Sequence, residues 1–306
     1  MATREELNKE KQKKIIDEER KEKRKKTMIS IFKITIISFV IIITFFLYTT
    51  YISNKKIIVK ETRITSKDLP KNFNGVKLIQ FSDVHYGTTI SKNELKEIVE
   101  LINERNPDIV TFTGDFIDKD YKINSTEQEQ IINILQKIKT NIGKYAISGD
   151  EDQDEFTTIF NQSGFTILNN DYDLIYKDNN NPMLIIGINS TLNKNINIDE
   201  AYKYFSDSTH NTKIYTIVLA HEPDIIDEII PDKKANLFLA GHSHNGQIKI
   251  PYFDAITRKE GAKKYMNEHY KINNTEIYIS SGLGTNGNGI RFLCHPSINF
   301  FRISSE

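Results

Sequence analysis

Apolar positions along the chain fall into two regimes. From residue 28 to residue 52 they are nearly continuous, broken by Lys33 and a few Ser, Thr and Tyr. After residue 56 they come in short runs divided by polar segments, and some of those segments carry helical spacing. The runs predict strands at 57–64, 76–81, 108–113, 144–148, 166–168, 173–176, 183–188, 213–220 and 237–240. Further strands are predicted at 247–250, 276–280, 290–293 and 298–303. Between them, 93–105 has apolar residues at 95, 98, 101 and 102 behind a Ser91 cap, a helical face. A second helical face covers 131–138, and shorter helices are predicted around 156–160 and 225–230. The order is β-α-β-α-β and then mainly β, which predicts an α/β class domain of mixed layers. Asn169-Asn170, Asn179 to Asn181 and Asn273-Asn274 are expected to close hairpins.

The first regime changes the topology. Residues 1–27 are almost all charged or polar and read as a solvated tail. Residues 28–52 supply the roughly 20 apolar positions a membrane span needs. That run is longer than the ~7–15 residues of a signal peptide core and lacks a small-residue cleavage site, so an uncleaved anchor is expected. Lys21, Lys23, Arg24, Lys25 and Lys26 outnumber Lys55, Lys56, Lys60 and Arg63 across it. The excess predicts a single-pass protein of the cell membrane with a cytoplasmic N-terminus and residues 53–306 outside. Over the whole chain, 41 basic and 41 acidic residues balance, so no basic field favours nucleic acid. One cysteine, Cys294, excludes an internal disulfide and a cysteine zinc site, and is expected to be a small buried hydrophobe.

Candidate chemistry gathers at strand ends. Asp83 with His85, Asp115, Asp150, His221, and His242 with His244 each follow an apolar run directly. Strands that end in carboxylates and imidazoles place them at the carboxyl edge of a sheet, where α/β folds bind ligands. The other histidines, His210, His269 and His295, follow no such pattern. Three carboxylates and four imidazoles suit two divalent cations with one carboxylate shared. Mixed nitrogen and oxygen donors favour Mn, Zn or Fe over Mg or Ca. Two such ions ~3.5–4 Å apart can hold a phosphoryl oxygen and acidify a water between them to a hydroxide that attacks phosphorus.

The order Asp83-x-His85, Gly114-Asp115-x-x-Asp118, Gly149-Asp150-Glu151-Asp152, His221, Gly241-His242-x-His244 resembles the calcineurin-like metallophosphoesterases. His221-Glu222-Pro223-Asp224, the box from Gly241 to Gln247, and the tail Ser281 to Gly284 with Ile290 to Phe292 are similar to its membrane-tethered bacterial branch. That branch includes phosphodiesterases related to UDP-diacylglucosamine pyrophosphohydrolases. The resemblance covers about 57–303 and implies a two-sheet β-sandwich flanked by helices. It implies that Asp83, His85 and His244 hold one metal, that Asp115 bridges, and that Asp150, His221 and His242 hold the second. Asp118 and Ser243 would orient ligands, and Asp115, Glu151 and His242 would carry the catalysis.

Motif three departs from the family's usual Gly-Asn-His. Asp150 replaces a neutral amide, and Glu151 replaces an imidazole. A carboxylate beside a phosphate repels it unless it is protonated, which burial and neighbouring carboxylates favour. Two functions follow: a phosphoester hydrolase at the outer membrane face, or a metal-binding pseudoenzyme that captures a phosphorylated envelope ligand. The anchor favours a lipid-linked or envelope phosphoester as partner. The glycine-dense run 282–289 and Arg291 are candidate phosphate contacts, and Arg258, Lys259, Lys263 and Lys264 a basic patch for anionic headgroups.

Overall fold

The computed structural model describes residues 3–49, 53–178, 181–249, 258–287 and 289–306. Thr50, Tyr51 and Ile52 of the expected anchor, Asn179 and Asn180 of an expected turn, Ile250 of an expected strand and Asn288 of the glycine-dense run lie outside them. The chain divides into two compact units, residues 1–51 and 52–306.

The first unit is one helix, α1 (Arg4–Leu47), with Thr3 and Glu6 forming a capping box at its start. It runs unbroken through the charged tail and most of the expected anchor, and it buries no residue within itself. Among the described residues it is the one helix long and apolar enough to cross a membrane.

The second unit starts with β1 (Ile58–Ser66) and β2 (Val76–Phe81), followed by α2 (Lys92–Glu104) and β3 (Ile109–Thr113). Next come α3 (Ser125–Leu135), β4 (Gly143–Ile147), α4 (Asp154–Gln162) and β5 (Thr166–Ile167). The second half contributes β6 (Asp171–Ile175), β7 (Met183–Gly187), α5 (Ile198–Ala201) and β8 (Thr216–Leu219). It continues with α6 (Ile226–Ile229), β9 (Leu237–Ala240), β10 (His269–Ile272), β11 (Thr275–Ile279) and β12 (Ser297–Ser305). Two six-stranded sheets result, in the orders β1-β12-β2-β3-β4-β5 and β10-β11-β9-β8-β7-β6. β2 to β5 run parallel, as do β7, β8, β9 and β11.

Alternation along each strand explains the layering. Leu78, Ile109, Ile147 and Phe301 of the first sheet share one core with Ile185, Ile217, Leu237 and Leu239 of the second. Their neighbours Ile79, Val110, Phe112 and Ala146 turn the other way, onto Leu95, Ile98, Ile131 and Phe160 of α2, α3 and α4. On the second sheet, Leu184, Ile186, Val218 and Phe238 face outward onto Ala201 and Ile226 of α5 and α6. Strands covered on both faces read as continuous apolar runs. The fold is two mixed sheets stacked face to face with helices outside, as the resemblance implied.

Three expectations need correction. The candidate site residues stand at the ends of strands in two different sheets, not along one edge. The predicted strands at 247–250 and 290–293 reduce to one bridge, Ile248 to Phe292. Gln247 and Leu293 both have φ of 52°, which breaks an extended chain. Asn169-Asn170 carries the chain from the first sheet to the second instead of closing a hairpin, whereas Asn273-Asn274 does join β10 to β11. β10 escapes the sequence pattern because it alternates exposed His269 and Lys271 with half-buried Tyr270 and Ile272.

A buried amide crosses between the sheets. Buried Gln80 on β2 donates to Thr113 Oγ1 at 3.0 Å and to the Ala240 carbonyl at 2.8 Å, and accepts from Asn299 at 3.0 Å. It ties β2, β3, β12 and β9 together just below the strand ends. Gln80→Met fills the same volume but leaves buried partners unpaired. It should cost about 1–3 kcal/mol, read as a lower urea midpoint at unchanged slope; an unchanged midpoint refutes the strut role.

Candidate metal centre

Each site residue follows its strand by two or three positions: Asp83 after β2, Asp115 after β3, Asp150 after β4, His221 after β8, His242 after β9. A chain leaving an extended strand must turn within that distance to bring its side chain over the sheet edge. Five of the residues do so in the left-handed region: Asp83 (φ 50°), His85 (45°), Asp115 (60°), His242 (62°) and His244 (47°). Such backbone costs on the order of 1–3 kcal/mol per residue and clusters at functional sites.

Glycines before three of the residues let the turns interlock. A Cβ on Gly114 would lie 2.4 Å from His221 Nδ1, and one on Gly149 would lie 2.2 Å from Asp115 Oδ1. One on Gly241 would lie 2.1 Å from Ser82 Oγ and 2.7 Å from Asp83 Oδ2. Asp152 fixes two of these turns. Its Oδ2 accepts from Asp115 N–H at 2.9 Å and Gly149 N–H at 2.8 Å, and its Oδ1 accepts from Phe116 N–H at 2.8 Å. Burial, with the Asp115 charge, pushes this carboxyl up to about 7, even against those donors. Sequence reasoning gave Asp152 no role; its one signal was a carboxylate two places beyond Asp150.

The side chains fall into adjoining groups whose donor atoms lie within 4.8 Å of one another. One is Asp115, Asp150, His221 and His242; the second is Asp83, His85 and His244; the third joins His85 and Asp115 to Glu151. His221 Nε2 is 3.1 Å from both Asp115 Oδ2 and Asp150 Oδ1, and His242 Nδ1 is 3.0 Å from Asp150 Oδ1. His244 Nε2 is 3.4 Å from Asp83 Oδ1 and 3.2 Å from His85 Nε2. Asp83, His85, Asp115 and His221 are wholly buried.

The far nitrogens decide which atoms are free to bind. His221 Nδ1 lies 2.7 Å from the Thr113 carbonyl, and His242 Nε2 lies 2.8 Å from that of Glu260. Each carbonyl accepts a hydrogen bond from the N–H there, so the neutral ring turns its opposite nitrogen, as an acceptor, toward the carboxylates. Asp83 Oδ2, Asp115 Oδ2 and Asp150 Oδ1 are buried with no hydrogen-bond partner. Buried acceptors seldom go unpaired. Unpaired oxygens beside imidazole lone pairs form the donor set of a transition-metal site, so the residues fit two divalent cations.

Proton affinities show the same crowding. Burial pulls His221 down, but Asp115 and Asp150 against it raise it well above the usual imidazole range. Burial pushes Asp115 up, yet His221 overrides this and holds it down at about 2. Burial, together with the nearby Asp115 charge, leaves Asp83 raised. Glu151 is raised by burial and lowered more by His85, whose Nδ1 lies 3.3 Å from its Oε2. Its net shift is below the ordinary carboxylate range, opposite to the rise that burial and neighbouring carboxylates favoured.

Other expected contacts fall differently. Asp118 Oδ2 lies 3.9 Å from His85 Nδ1, beside a ligand candidate as expected. Ser243 touches no ligand candidate through its hydroxyl: Oγ donates to the Met266 carbonyl and accepts from Asn245 N–H. Arg291 is neither a surface residue nor open to phosphate. It is fully buried, donates to the carbonyls of Gly282 and Gly284, and lies 3.3 Å from His244 Nδ1. In the run 282–289, the N–H groups of Leu283 and Gly284 donate to the Ser82 and Asp83 carbonyls, which removes them as phosphate donors. In the basic patch, Lys264 pairs with Asp227 at 2.8 Å. Cys294 is buried and free.

Residues 76–246 match the family described as calcineurin-like phosphoesterase. The uncharacterized metallophosphoesterase YkuE of Bacillus subtilis is 31% identical over 263 residues, which cover 84% of this chain and 89% of that protein. A second from the same organism, YkoQ, is 30% identical over 269 residues, covering 84% and 94%. The UDP-2,3-diacylglucosamine pyrophosphatase LpxG of Chlamydia trachomatis is 25% identical over 296 residues, covering 78% and 88%.

Gly241→Ala tests the interlocked turns. Its Cβ would press on Ser82 and on the unpaired Asp83 oxygen, so the second group should open. Divalent metal retained per chain after dialysis, measured by mass spectrometry, should fall. Unchanged retention means that the close approach at Gly241 is dispensable.

Proposed function

The chain belongs to the calcineurin-like phosphoesterase family and is a hydrolase of phosphoester bonds; on that premise we propose that it works through two cations held at the junction of its sheets. Asp83, His85 and His244 hold the first, Asp115 is shared, and Asp150, His221 and His242 hold the second. The observation that carries this reading is the set of buried carboxylate oxygens without hydrogen-bond partners that cluster with imidazole nitrogens. When bound, the two ions polarise a phosphoryl oxygen and lower the pKa of water toward neutrality. Mixed nitrogen and oxygen donors favour Mn, Zn or Fe.

The chain's own groups supply order. The Thr113 and Glu260 carbonyls hold His221 and His242 in the tautomers that bind. Glu151 donates its backbone N–H to Asp115 Oδ1 at 2.9 Å, which fixes the shared carboxylate. Its ionised side chain faces His85 and takes a hydrogen bond from Asn286 at 3.3 Å. This environment suits a group that orients a ligand imidazole, and a group held ionised is a poor proton donor. The leaving group therefore gets little acid assistance from Glu151, which favours phosphoesters with stable leaving groups.

We place the hydrolase as a single-pass protein of the cell membrane. Residues 28–52 form the span and residues 53–306 the outer domain, on the excess of basic residues before the span. A lipid-linked or envelope phosphoester is the substrate class we favour. The anchor supports it, and so does the likeness to a protein named for a diacylated nucleotide sugar.

The manganese-loaded full chain should hydrolyse bis-p-nitrophenyl phosphate. Asp115→Ala and His242→Ala should each lower the rate at least about 100-fold, a loss of ~2.7 kcal/mol of barrier lowering. A wild type no faster than Asp115→Ala would instead leave a protein that binds metal and a phosphorylated ligand without turning it over. Glu151→Gln keeps the shape but removes the charge facing His85. Loss of such a partner weakens metal binding about 10-fold, seen as a rightward shift in a manganese titration. An unshifted titration would mean that Glu151 does not act through His85.

A further inference from the structure

The loop from Gly282 to His295 touches the cation site on its inner side. Asn286 donates to Glu151 and pairs with Gln247, and Arg291 lies against His244. On its outer side the same loop is stitched to the first described residues after α1. Asn54 donates to the Gly289 carbonyl, and His295 Nδ1 lies 3.3 Å from the Ser53 carbonyl. Ser53 follows Leu47, the last residue of α1, by six positions in the sequence.

Between the two stitches the loop turns out a single apolar side chain. Leu293 is 48% exposed at a φ of 52°. A bulky aliphatic residue is rare in that region. Outside α1, the described residues contain one other exposed large apolar side chain, Tyr176. Tyr176 follows β6 at the edge where β7 begins, the edge opposite the cation site. Lys55 and Lys56, also exposed, adjoin Asn54. An apolar tip beside two cations matches the headgroup zone of an anionic bilayer, where each basic residue contributes about 1 kcal/mol.

We propose that this loop is a membrane-seating lip. Leu293 enters the headgroup region of the bilayer that holds α1, Lys55 and Lys56 meet anionic lipid, and the cation site is set one loop's breadth from the lipid phosphates. The inference rests on the reading of α1 as an anchor and narrows the substrate to phosphoesters whose apolar tail stays in that leaflet.

The sequence contains no tryptophan, so one introduced Trp reports a single place. Full-length Leu293→Trp, Phe39→Trp and Tyr176→Trp are reconstituted into two sets of phosphatidylglycerol–phosphatidylcholine vesicles, one carrying a nitroxide high on the acyl chain, which reads positions 293 and 176, and one carrying it near the chain end, which reads position 39. Leu293→Trp should show a blue shift and a several-fold greater loss of emission than Tyr176→Trp. Lys56→Trp, across the stitch, should behave like Leu293→Trp and replaces it if that variant does not fold. Strong quenching at Phe39→Trp with position 293 no more quenched than 176 overturns the lip and leaves the anchor standing. No quenching at Phe39→Trp overturns the anchor, and the lip with it.

Discussion

Three carboxylates crowded at one point, two wholly buried and the third half-buried, are the constraint to which the domain is built. Asp83, Asp115 and Asp150 come from three parallel strands of one sheet, and the imidazoles of His221 and His242 reach them from the other. Isolated charges in such a place are strongly disfavoured. The cluster persists because the two sheets share an apolar core that has no reason to separate. Stacked sheets with their parallel strands ending at one edge are what let two sets of strand ends meet. The same stacking explains why Gln80, almost alone among buried polar side chains of the inner strands, bonds across the gap.

Backbone strain and electrostatics are two sides of that arrangement. Left-handed turns at Asp83, Asp115 and His242 aim over the sheet edge side chains that an extended chain would turn to one face of the sheet. Asp152 anchors the Asp115 turn and the neighbouring one at Gly149 through three backbone donors, so a carboxylate outside the ligand clusters steadies those within them. The protonated preference of His221 follows from the same excess of negative charge. In the metal-free protein a proton on that ring offsets part of what a divalent ion would neutralise.

Much of this was legible in the residues. Apolar runs ending in Asp or His located every strand that feeds the site, because strands buried on both faces leave a continuous signature. Gly114, Gly149 and Gly241 marked the turns. The sequence did not show that the strand ends belong to two sheets, since register across a sandwich leaves no local pattern. Asp152 and Arg291 were missed or misplaced for a related reason: a buried polar residue that serves only backbone carbonyls or N–H groups looks like a surface residue in one dimension. β10 was hidden by its polar alternation, and the strands expected at 247–250 and 290–293 were cut short by φ angles no composition reveals. Glu151 was visible as a substitution, but the direction of its ionisation depended on His85, sixty-six positions earlier in the chain.

The pairing of β1 with β12 bears on biogenesis. β1, the first strand after α1, has β12 as its partner along its whole length, from Ile58 beside Ser297 to Ser66 beside Ser305, and β12 separates it from β2. A nascent chain must therefore wait until β12 (Ser297–Ser305) has been made before its opening strand has a neighbour. Until then one edge of β2 stays unsatisfied, a delay typical of topologies dominated by distant pairings. A ribosome that stalls before β12 would leave a half-closed domain with bare strand edges open to any neighbour able to pair with them.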